Sequence, residues 1–460
     1  MIRIFTHYVS AKTAFLFSLE ALILMLAVYA GASLPAALVG DAPAIPFQQL
    51  AVFPLVALML MASMGLYQLD IREETRSVLV RMLAALLVGF LLALLAFNAS
   101  HVSPPRPDAI VVAILLALAG TTLVRIAFYR WGDKSAFKER VLVLGTGSRV
   151  AKFAEYARRS HSHEVVRYVA LQPCEHFVPL PNVLTLAPGE SLLSVVEKFK
   201  IDRIVIAIRD RRGGGLPIRD LLECRLRGIN VTELPTFFER EYRQVLLESI
   251  NPSWMVFGDG FSAGCCRAAL KRAFDLAVSL VLLLLALPVM VVTALCILLE
   301  SGRPLLYRQE RVGQGGRVFT IYKFRSMRID AERDGTPRWA AANDDRTTRV
   351  GRIIRKLRID ELPQIINVLK GDMSFVGPRP ERPFFVDKLV TQIPYYASRH
   401  RIKPGITGWA QVNYPYGATL DDTIKKLQYD LYYLKNHGLF LDLMILFATV
   451  EVVLWGKGAR

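Results

Sequence analysis

Residues 271–304, KRAFDLAVSLVLLLLALPVMVVTALCILLESGRP, form the most apolar run of the chain and decide how the rest of it is arranged. The run is long enough to cross a bilayer as a helix, which takes about 20 residues. Pro288 lies in its middle, where it removes a helix hydrogen bond and favours a kink. Basic residues flank the run, with Lys271 before it and Arg303 after it, so the positive-inside rule keeps both ends in the cytoplasm. The sequence therefore predicts a re-entrant helix over 271–300 that breaks at Pro288, with a fifth crossing as the alternative.

Four further apolar runs precede this one, and each has about the length that a membrane-crossing helix needs. They lie at about 13–34, 47–67, 77–97 and 109–129. Basic residues gather before the first run, between the second and third, and after the fourth: Arg3, Lys12, Arg72, Arg76, Arg130, Lys134, Lys138 and Arg140. The intervening loops, 35–46 and 98–108, carry almost no positive charge. The positive-inside rule therefore predicts a four-helix transmembrane bundle over 1–132 with both ends in the cytoplasm.

Two charged residues, Glu20 and Arg81, lie inside these runs. Charges inside a membrane seldom face lipid, so the two side chains could pair within the bundle. Arg81 could equally extend to the end of its helix and reach water. The sequence leaves both alternatives open.

Composition limits the classes of partner. The 460 residues carry a net charge of +17, and 53% of them are hydrophobic. A basic balance suits nucleic acid, an anionic membrane face or phosphorylated substrates, and the hydropathy favours the last two over nucleic acid. The five cysteines show no CxxC spacing and the seven histidines no metal-ligand spacing. This pattern indicates a reducing compartment without a disulfide framework or a zinc site.

A glycine-rich turn follows the fourth run, in RVLVLGTGSRVAKFAEYARR at 140–159. A strand pattern, Gly145 and Gly147, and then helical spacing are typical of a dinucleotide-binding turn. The fingerprint is incomplete, because Val150 stands where a third small residue is expected and no acidic residue is evident around 172–174. The sequence predicts a cytoplasmic, Rossmann-like α/β domain over 139–250, in which Gly145 and Gly147 bind a nucleotide or the module is only regulatory or structural.

A polar motif lies beyond the long apolar run, in RIDELPQIINVLKGDMSFVGPRP at 358–380. A basic stripe, Arg349, Arg352 and Arg355, leads into Asp360 and Glu361, and before that a strand pattern brings Lys323 and Arg325. Pro363 is tolerated only in the first turn of a helix, so a helix should begin near Asp360. The residues alone leave two alternatives open for Asp360: a helix N-cap, or a nucleophile among cations that also bind phosphate.

The tail from about 268 to 460 resembles the bacterial sugar transferase family, the monotopic polyprenyl-phosphate phosphoglycosyl transferases. Five ordered segments carry the resemblance: KRAFD at 271–275, the apolar helix with Pro288, IYKFRSM at 321–327, RIDELPQIINVLKGDMSFVGPRPE at 358–381 and KPGITGWAQVN at 403–413. Four spans and a Rossmann-like domain ahead of such a tail are similar to the long members that begin exopolysaccharide repeat units. The resemblance implies an α+β catalytic domain over 268–460 that includes the re-entrant helix.

The resemblance also implies a reaction and its residues. Asp360 would attack a UDP-sugar to form a phosphosugar-aspartyl intermediate, and undecaprenyl phosphate would then accept the sugar-1-phosphate. Glu361 would complete the dyad, and both carboxylates would hold Mg²⁺ as cofactor. The phosphate-binding cations would be Lys323, Arg325, Arg355, Arg379 and Lys403, with Trp409 and Gln411 either lining the nucleotide pocket or only packing. The enzyme would reside in the bacterial inner membrane with its catalytic domain in the cytoplasm. The sugar, self-association and contacts with downstream glycosyltransferases stay open.

Two other functions compete with this one. A membrane-anchored nucleotide-sugar dehydratase or epimerase can carry the same spans and Rossmann-like domain, but it needs a Tyr-x-x-x-Lys pair after the nucleotide fold. The chain has this spacing only at Tyr8 and Lys12, ahead of the first span. A scaffold of polysaccharide assembly would have no use for the polar motifs of the tail. The sequence therefore favours the transferase.

Overall fold

The structure is a computed structural model of the chain. It describes residues 2–4, 7–39, 47–67, 75–99, 107–132, 138–158, 160, 162–171, 177–178, 180–185, 191–208, 216–250, 260, 264–328, 346–415, 417 and 419–455. Most of the loops used to predict orientation lie outside these residues. Residues 172–174, where the fingerprint of a dinucleotide-binding turn expects an acidic residue, lie outside them as well.

The first 132 residues contain a short hairpin and four apolar helices. Strands β1 (Ile2–Ile4) and β2 (His7–Val9) pair antiparallel. The helices are α1 (Ala11–Val39), α2 (Phe47–Ser63), α3 (Thr75–Ala99) and α4 (Pro107–Gly132). Helices α1, α3 and α4 contain stretches long and apolar enough to cross a membrane, whereas α2 is shorter. The fourth helix of sufficient length in the described chain is Cys265–Ser301, in the tail.

Glu20 does pair with an arginine inside the bundle, but the partner is Arg125 rather than Arg81. Arg125 Nε lies 2.7 Å from Glu20 Oε1, and both side chains are buried. The Tyr67 hydroxyl also donates to this carboxylate, at 2.6 Å. Arg81 Nη1 donates to the carbonyl of Met64 instead. Helix α4 packs along α1, so its arginine reaches Glu20, while Arg81 on α3 faces the end of α2.

The described residues between 138 and 250 form a mixed α/β domain around a parallel sheet, which confirms the predicted α/β class. The strand order is β5-β4-β3-β6-β7, and every neighbouring pair is parallel. Its strands are β3 (Glu139–Leu144), β4 (His163–Ala170), β5 (Val183–Thr185), β6 (Arg203–Ile206) and β7 (Asn230–Glu233). Its helices are α5 (Ser148–Arg158), α6 (Leu192–Lys198), α7 (Ile218–Leu226) and α8 (Leu234–Tyr242). Separate apolar clusters cover the two faces of the sheet, as parallel strands require.

The tail begins with one continuous helix, α9 (Cys265–Ser301), so the predicted break at Pro288 is wrong. A proline removes a single donor, and in an apolar helix the hydrogen bonds on either side of it can continue. Most of the side chains in the middle of α9 are exposed, among them Leu284 at 73% and Leu285 at 68%. A face of this kind, on a helix of 37 residues, fits contact with lipid.

The rest of the tail packs short elements against α9. Strands β8 (Leu306–Val312) and β9 (Val318–Phe324) form an antiparallel hairpin, and β10 (Ser374–Val376) pairs parallel with β11 (Gly405–Thr407). The helices are α10 (Arg349–Lys356), α11 (Ile365–Lys370), α12 (Pro383–Gln392), α13 (Trp409–Asn413), α14 (Leu420–Asn436) and α15 (Leu439–Trp455). A 3-10 turn, Ile359–Gln364, joins α10 to α11. This turn carries both acidic residues of the polar motif.

Candidate active site

The acidic pair lies near the start of the 3-10 turn, and neither residue caps it. Arg358 is the residue before the turn, in a left-handed conformation with φ of 58°, and Asp360 is the second residue of the turn. The N-cap alternative for Asp360 is therefore wrong, although a helical segment does begin beside it and Pro363 lies within that segment. Placing Asp360 after the cap leaves its carboxylate free of the backbone donors that a cap would engage.

Glu361 is the anchored member of the pair. A single oxygen, Oε1, accepts from Lys323 Nζ at 2.7 Å and from Arg379 Nη2 at 3.0 Å. Burial raises the pKa of Glu361, but the positive charges of Lys323, Arg379 and Arg358 outweigh burial and hold the pKa well below its usual range. Glu361 therefore stays ionised and joins two of the predicted phosphate-binding cations.

Asp360 is the open member of the pair. Its carboxylate has no hydrogen-bond or ion-pair partner in the described part of the chain, and its side chain is half-buried. Burial and the neighbouring charge of Glu361 raise the pKa of Asp360 to about 6, while Lys323, Arg358 and Arg355 oppose the rise. A carboxylate that is ionised at neutral pH, more basic than usual and unpaired has the properties of a nucleophile.

Arg379 reaches Glu361 from a turn that packs tightly on the chain segment after Lys403. Gly377 donates its N–H to Thr407 O at 2.9 Å, and Gly405 donates to Pro378 O at 2.9 Å. A Cβ on Gly377 would lie 2.4 Å from Lys403 O, and one on Gly408 would lie 2.2 Å from Gly377 O. Glycine is therefore required where these two backbones meet. The motifs at 358–381 and 403–413 thus form one piece of structure.

Arg355 belongs to a basic helix that the end of α9 fixes in place. Glu300 accepts from the N–H groups of Arg349 and Val350, so it supplies the anion that a helix N-terminus favours. Arg355 is half-buried at the far end of α10, donates to Thr347 Oγ1 at 3.3 Å and contributes to lowering the pKa of Asp360. Arg358 acts on both acidic residues in the same way and was missing from the predicted site. Its position two residues before Asp360 in the sequence is the signal that could have identified Arg358 as part of the site.

Two predicted phosphate-binding residues lie elsewhere. Arg325 is buried, and its Nη2 donates to Ser301 O at 2.9 Å, to Ser301 Oγ at 2.6 Å and to Gly302 O at 2.9 Å. It caps the C-terminus of α9, because the strand that holds Lys323 ends at Phe324 and the chain then turns. Lys403 lies near Arg272 instead. A Cβ on Gly371 would be 3.6 Å from Lys403 Nζ and 3.7 Å from Arg272 Nη2.

Trp409 and Gln411 are engaged in packing. The buried Trp409 indole donates to Arg243 O at 3.0 Å, and Gln411 Nε2 donates to Ile406 O at 3.2 Å. The indole N–H of Trp409 is thereby engaged, whereas Gln411 Oε1 is buried without a hydrogen-bond partner in the described part of the chain. The contacts favour the packing alternative for Trp409 and leave both alternatives open for Gln411.

The glycine turn of the α/β domain has the geometry of a close approach. Gly145 has φ of +121°, and a Cβ there would contact the backbone of Ala207 at 3.4 Å. A Cβ on Gly147 would meet nothing within 4 Å, and Val150 is fully buried. The left-handed φ explains why Gly145 is glycine. Nucleotide binding at Gly145 and Gly147 stays a prediction.

Asp360 and Glu361 fit a divalent cation only in part. Among the described residues, no group of three or more His, Cys, Asp or Glu side chains is placed to hold a metal ion. Mg²⁺ is usually held by one or two carboxylates together with substrate phosphates, and an unpaired Asp360 beside an anchored Glu361 matches that arrangement. The two residues therefore suit a Mg²⁺ that arrives with a phosphorylated substrate.

The chain is similar in sequence to known sugar transferases. The family model described as bacterial sugar transferase matches residues 266–456. The UDP-N-acetylgalactosamine-undecaprenyl-phosphate N-acetylgalactosaminephosphotransferase of Aeromonas hydrophila is 43% identical over 261 residues, 57% of this chain and 61% of that protein. The undecaprenyl-phosphate glucose phosphotransferase of Komagataeibacter xylinus is 43% identical over 194 residues, 41% of this chain and 36% of that protein. The chain thus spans less than two thirds of either relative.

A third relative is matched over most of both chains. The UDP-glucose:undecaprenyl-phosphate glucose-1-phosphate transferase of Xanthomonas campestris pv. campestris is 33% identical over 357 residues, 74% of this chain and 72% of that protein. This match extends well beyond the residues that the family model covers. The resemblance based on the five motifs is confirmed, and the chain belongs to the bacterial sugar transferase family.

Proposed function

We propose that the protein transfers a sugar-1-phosphate from a UDP-sugar to undecaprenyl phosphate, releasing UMP, with Asp360 as a covalent nucleophile. The main observation behind this proposal is that Asp360 and Glu361, although adjacent, have different surroundings. Glu361 is held by Lys323 and Arg379, whereas the adjacent Asp360 has a raised pKa and no hydrogen-bond or ion-pair partner among the described residues. The two substrates are those that the names of the relatives give.

In the first step, a carboxylate oxygen of Asp360 attacks the β-phosphorus of the UDP-sugar. The new bond is an aspartyl O–P bond, and the bond that breaks joins this phosphorus to the oxygen bridging the two phosphates. UMP leaves with that oxygen and its electron pair. Lys323, Arg355, Arg358 and Arg379 surround the acidic pair, so their charges would stabilise the negative charge on the transferring group.

In the second step, a phosphate oxygen of undecaprenyl phosphate attacks the same phosphorus. The aspartyl O–P bond breaks, and the electron pair returns to Asp360 as a carboxylate. Splitting one displacement into two lets a single site serve first a water-soluble donor and then a lipid acceptor. A Mg²⁺ held by Asp360, Glu361 and substrate phosphates would neutralise charge on the diphosphate.

The contacts of α9 support a position at the membrane surface. Near its start, Arg272 donates to the carbonyls of Val368 and Leu369. At its end, Ser301 accepts from Arg325. Both ends of this apolar helix therefore contact the same tail, which supports an unbroken helix that dips into the membrane without crossing it, with the tail on the cytoplasmic side of the inner membrane.

The dehydratase alternative has no support in the structure. Tyr8 lies in the N-terminal hairpin, where its N–H donates to the Tyr432 hydroxyl at 3.5 Å, and Lys12 lies in the first turn of α1. This Tyr-x-x-x-Lys pair therefore lies ahead of and within the first apolar helix, not on a helix after the nucleotide fold, where a dehydratase needs it. The transferase is the function that the site supports best.

Isotope exchange tests the proposal. The purified protein in lipid nanodiscs is incubated with a panel of UDP-sugars and labelled UMP, without a lipid acceptor. Label should enter one of the UDP-sugars, because a covalent intermediate allows the first step to run backward alone. Adding undecaprenyl phosphate should then yield a lipid-linked sugar. Transfer without exchange would contradict the covalent step, and no transfer with any UDP-sugar would contradict the function.

The first step should lose rate on acidification through about pH 6. Attack needs an ionised Asp360, and burial together with Glu361 raises the pKa of Asp360 to about 6. Below that pH, the rate should fall about tenfold per pH unit. Single-turnover UMP release without acceptor measures this step free of the ionisation of the lipid phosphate.

A substitution in the basic helix provides the control. Arg355 lowers the pKa of Asp360, so Arg355→Gln should move the acid limb to higher pH. A wild-type rate that stays flat from pH 7 down to pH 5 would contradict the raised pKa.

A further inference from the structure

The carbonyl groups around Arg379 are fixed one after another. Pro378 O accepts from Gly405 N at 2.9 Å, Arg379 O from Arg399 Nη2 at 2.9 Å, and Pro380 O from Arg311 Nη1 at 3.0 Å. The next carbonyl, of Glu381, accepts from Val312 N at 2.9 Å. Four consecutive carbonyls thus meet four donors from three separate segments of the tail.

Of these donors, Arg399 is itself held in place by two further side chains, Asp430 and Tyr396. It is 7% exposed, and its Nη2 lies 2.8 Å from Asp430 Oδ2. Its Nη1 donates to the Tyr396 hydroxyl at 2.8 Å, and its guanidinium lies over the Tyr396 ring. Asp430 and Tyr396 are each 2% exposed. A planar guanidinium held at both terminal nitrogens has little freedom to move, which an ammonium in its place would have.

We propose that Arg399, held by Asp430 and Tyr396, is a positioning residue that fixes the Arg379 backbone so that the Arg379 guanidinium meets Glu361. Arg399 has no contact with Asp360 or Glu361 in the described chain, so its effect on the reaction passes through Arg379. This inference rests on the proposed function, because the role of Arg379 in the reaction is itself part of that function. A misplacement of about 1 Å in a catalytic group can cost about 10²-fold in rate.

Arg399→Lys is the first test. Lysine keeps the positive charge near Asp430 but cannot reach Asp430, Tyr396 and the Arg379 carbonyl together. We expect kcat/KM to fall by about 10- to 100-fold. Arg401→Lys is the matched control, because Arg401 is exposed in the same segment, and it should leave kcat/KM within about twofold.

A double-mutant cycle separates positioning from a general structural role. In an Arg379→Ala background, adding Arg399→Lys should lower kcat/KM by less than about twofold, because the residue it positions is gone. An undiminished further loss in that background would overturn the proposal. Tyr396→Phe removes only one hydrogen bond to Arg399 and gives a milder variant of the same kind, for use if Arg399→Lys folds poorly.

Hydrogen exchange provides a readout that does not depend on catalysis. In full-length Arg399→Lys, peptides that contain the Gly377 and Gly405 amides should exchange faster than in the wild type, while Arg401→Lys matches the wild type. Unchanged exchange would overturn the proposal. If the wild type transferred no sugar phosphate at all, the proposed function would fail, and the exchange rates would still decide whether Arg399 holds the turn.

Discussion

Asp360→Asn should reduce transfer and UMP release by at least about 10³-fold. An amide has no charge with which to attack phosphorus, so the covalent step is lost, while the contacts of Glu361 with Lys323 and Arg379 do not involve the substituted side chain. UMP release by purified protein in nanodiscs, with a UDP-sugar and undecaprenyl phosphate, measures the effect.

The matched control for this variant is Asp387→Asn. Asp387 is exposed on α12, so the same chemical change there should leave UMP release within about twofold. Binding of the UDP-sugar to Asp360→Asn should persist, because the cations remain and one negative charge is removed. Turnover retained by Asp360→Asn would exclude a covalent route through this residue.

Glu239→Ala should destabilise the whole protein by about 3–5 kcal/mol, because it breaks a buried ion pair between the α/β domain and the tail. Glu239 is 2% exposed at α8, and its carboxylate accepts from Lys435 Nζ at 2.7 Å and from Asn436 Nδ2 at 2.8 Å. Lys435 is itself buried, so the variant would leave its ammonium without the carboxylate. Thermal and denaturant unfolding in detergent would measure the loss.

An exposed ion pair supplies the comparison. Lys152 and Glu248 pair at the surface of the same domain, and Glu248→Ala should cost about 0–1 kcal/mol. Equal losses for the two variants would show that burial does not set the contribution of Glu239. The same reasoning predicts that a tail freed of residues 1–260 loses stability, since Lys435, Asn436 and the Trp409 indole would lose partners in the first half.

Several parts of the molecule could be predicted because neighbours along the chain determine them. The parallel α/β sheet follows from alternating strand and helix patterns, and the apolar runs follow from composition. Lys323 and Arg379, two of the cations predicted to bind phosphate, do lie beside the acidic dipeptide. These features depend on residue type and spacing, which are visible without coordinates.

Other features depend on long-range packing, which the sequence does not show. Arg325 looks identical to Lys323 as a cation near a strand end, yet it caps a helix that ends 24 residues earlier. Lys403 lies beside Arg272. Gly405, two residues later in the same motif, instead packs against the turn that carries Arg379. Glu20 pairs with Arg125, 105 residues away, rather than with Arg81. No periodicity distinguishes a cation that binds substrate from one that satisfies carbonyl groups.

The sequence by itself determined the apolar runs, the α/β module, the family and the position of Asp360 and Glu361 beside cations. Only the tertiary structure decided that these two neighbours differ, because the difference depends on which charges reach each carboxylate. Lys323 and Arg379, 38 and 18 residues from Glu361, both bind that residue, and the same fold leaves Asp360 open with a raised pKa. Electrostatic energy depends on distance in space, which the order of residues does not contain.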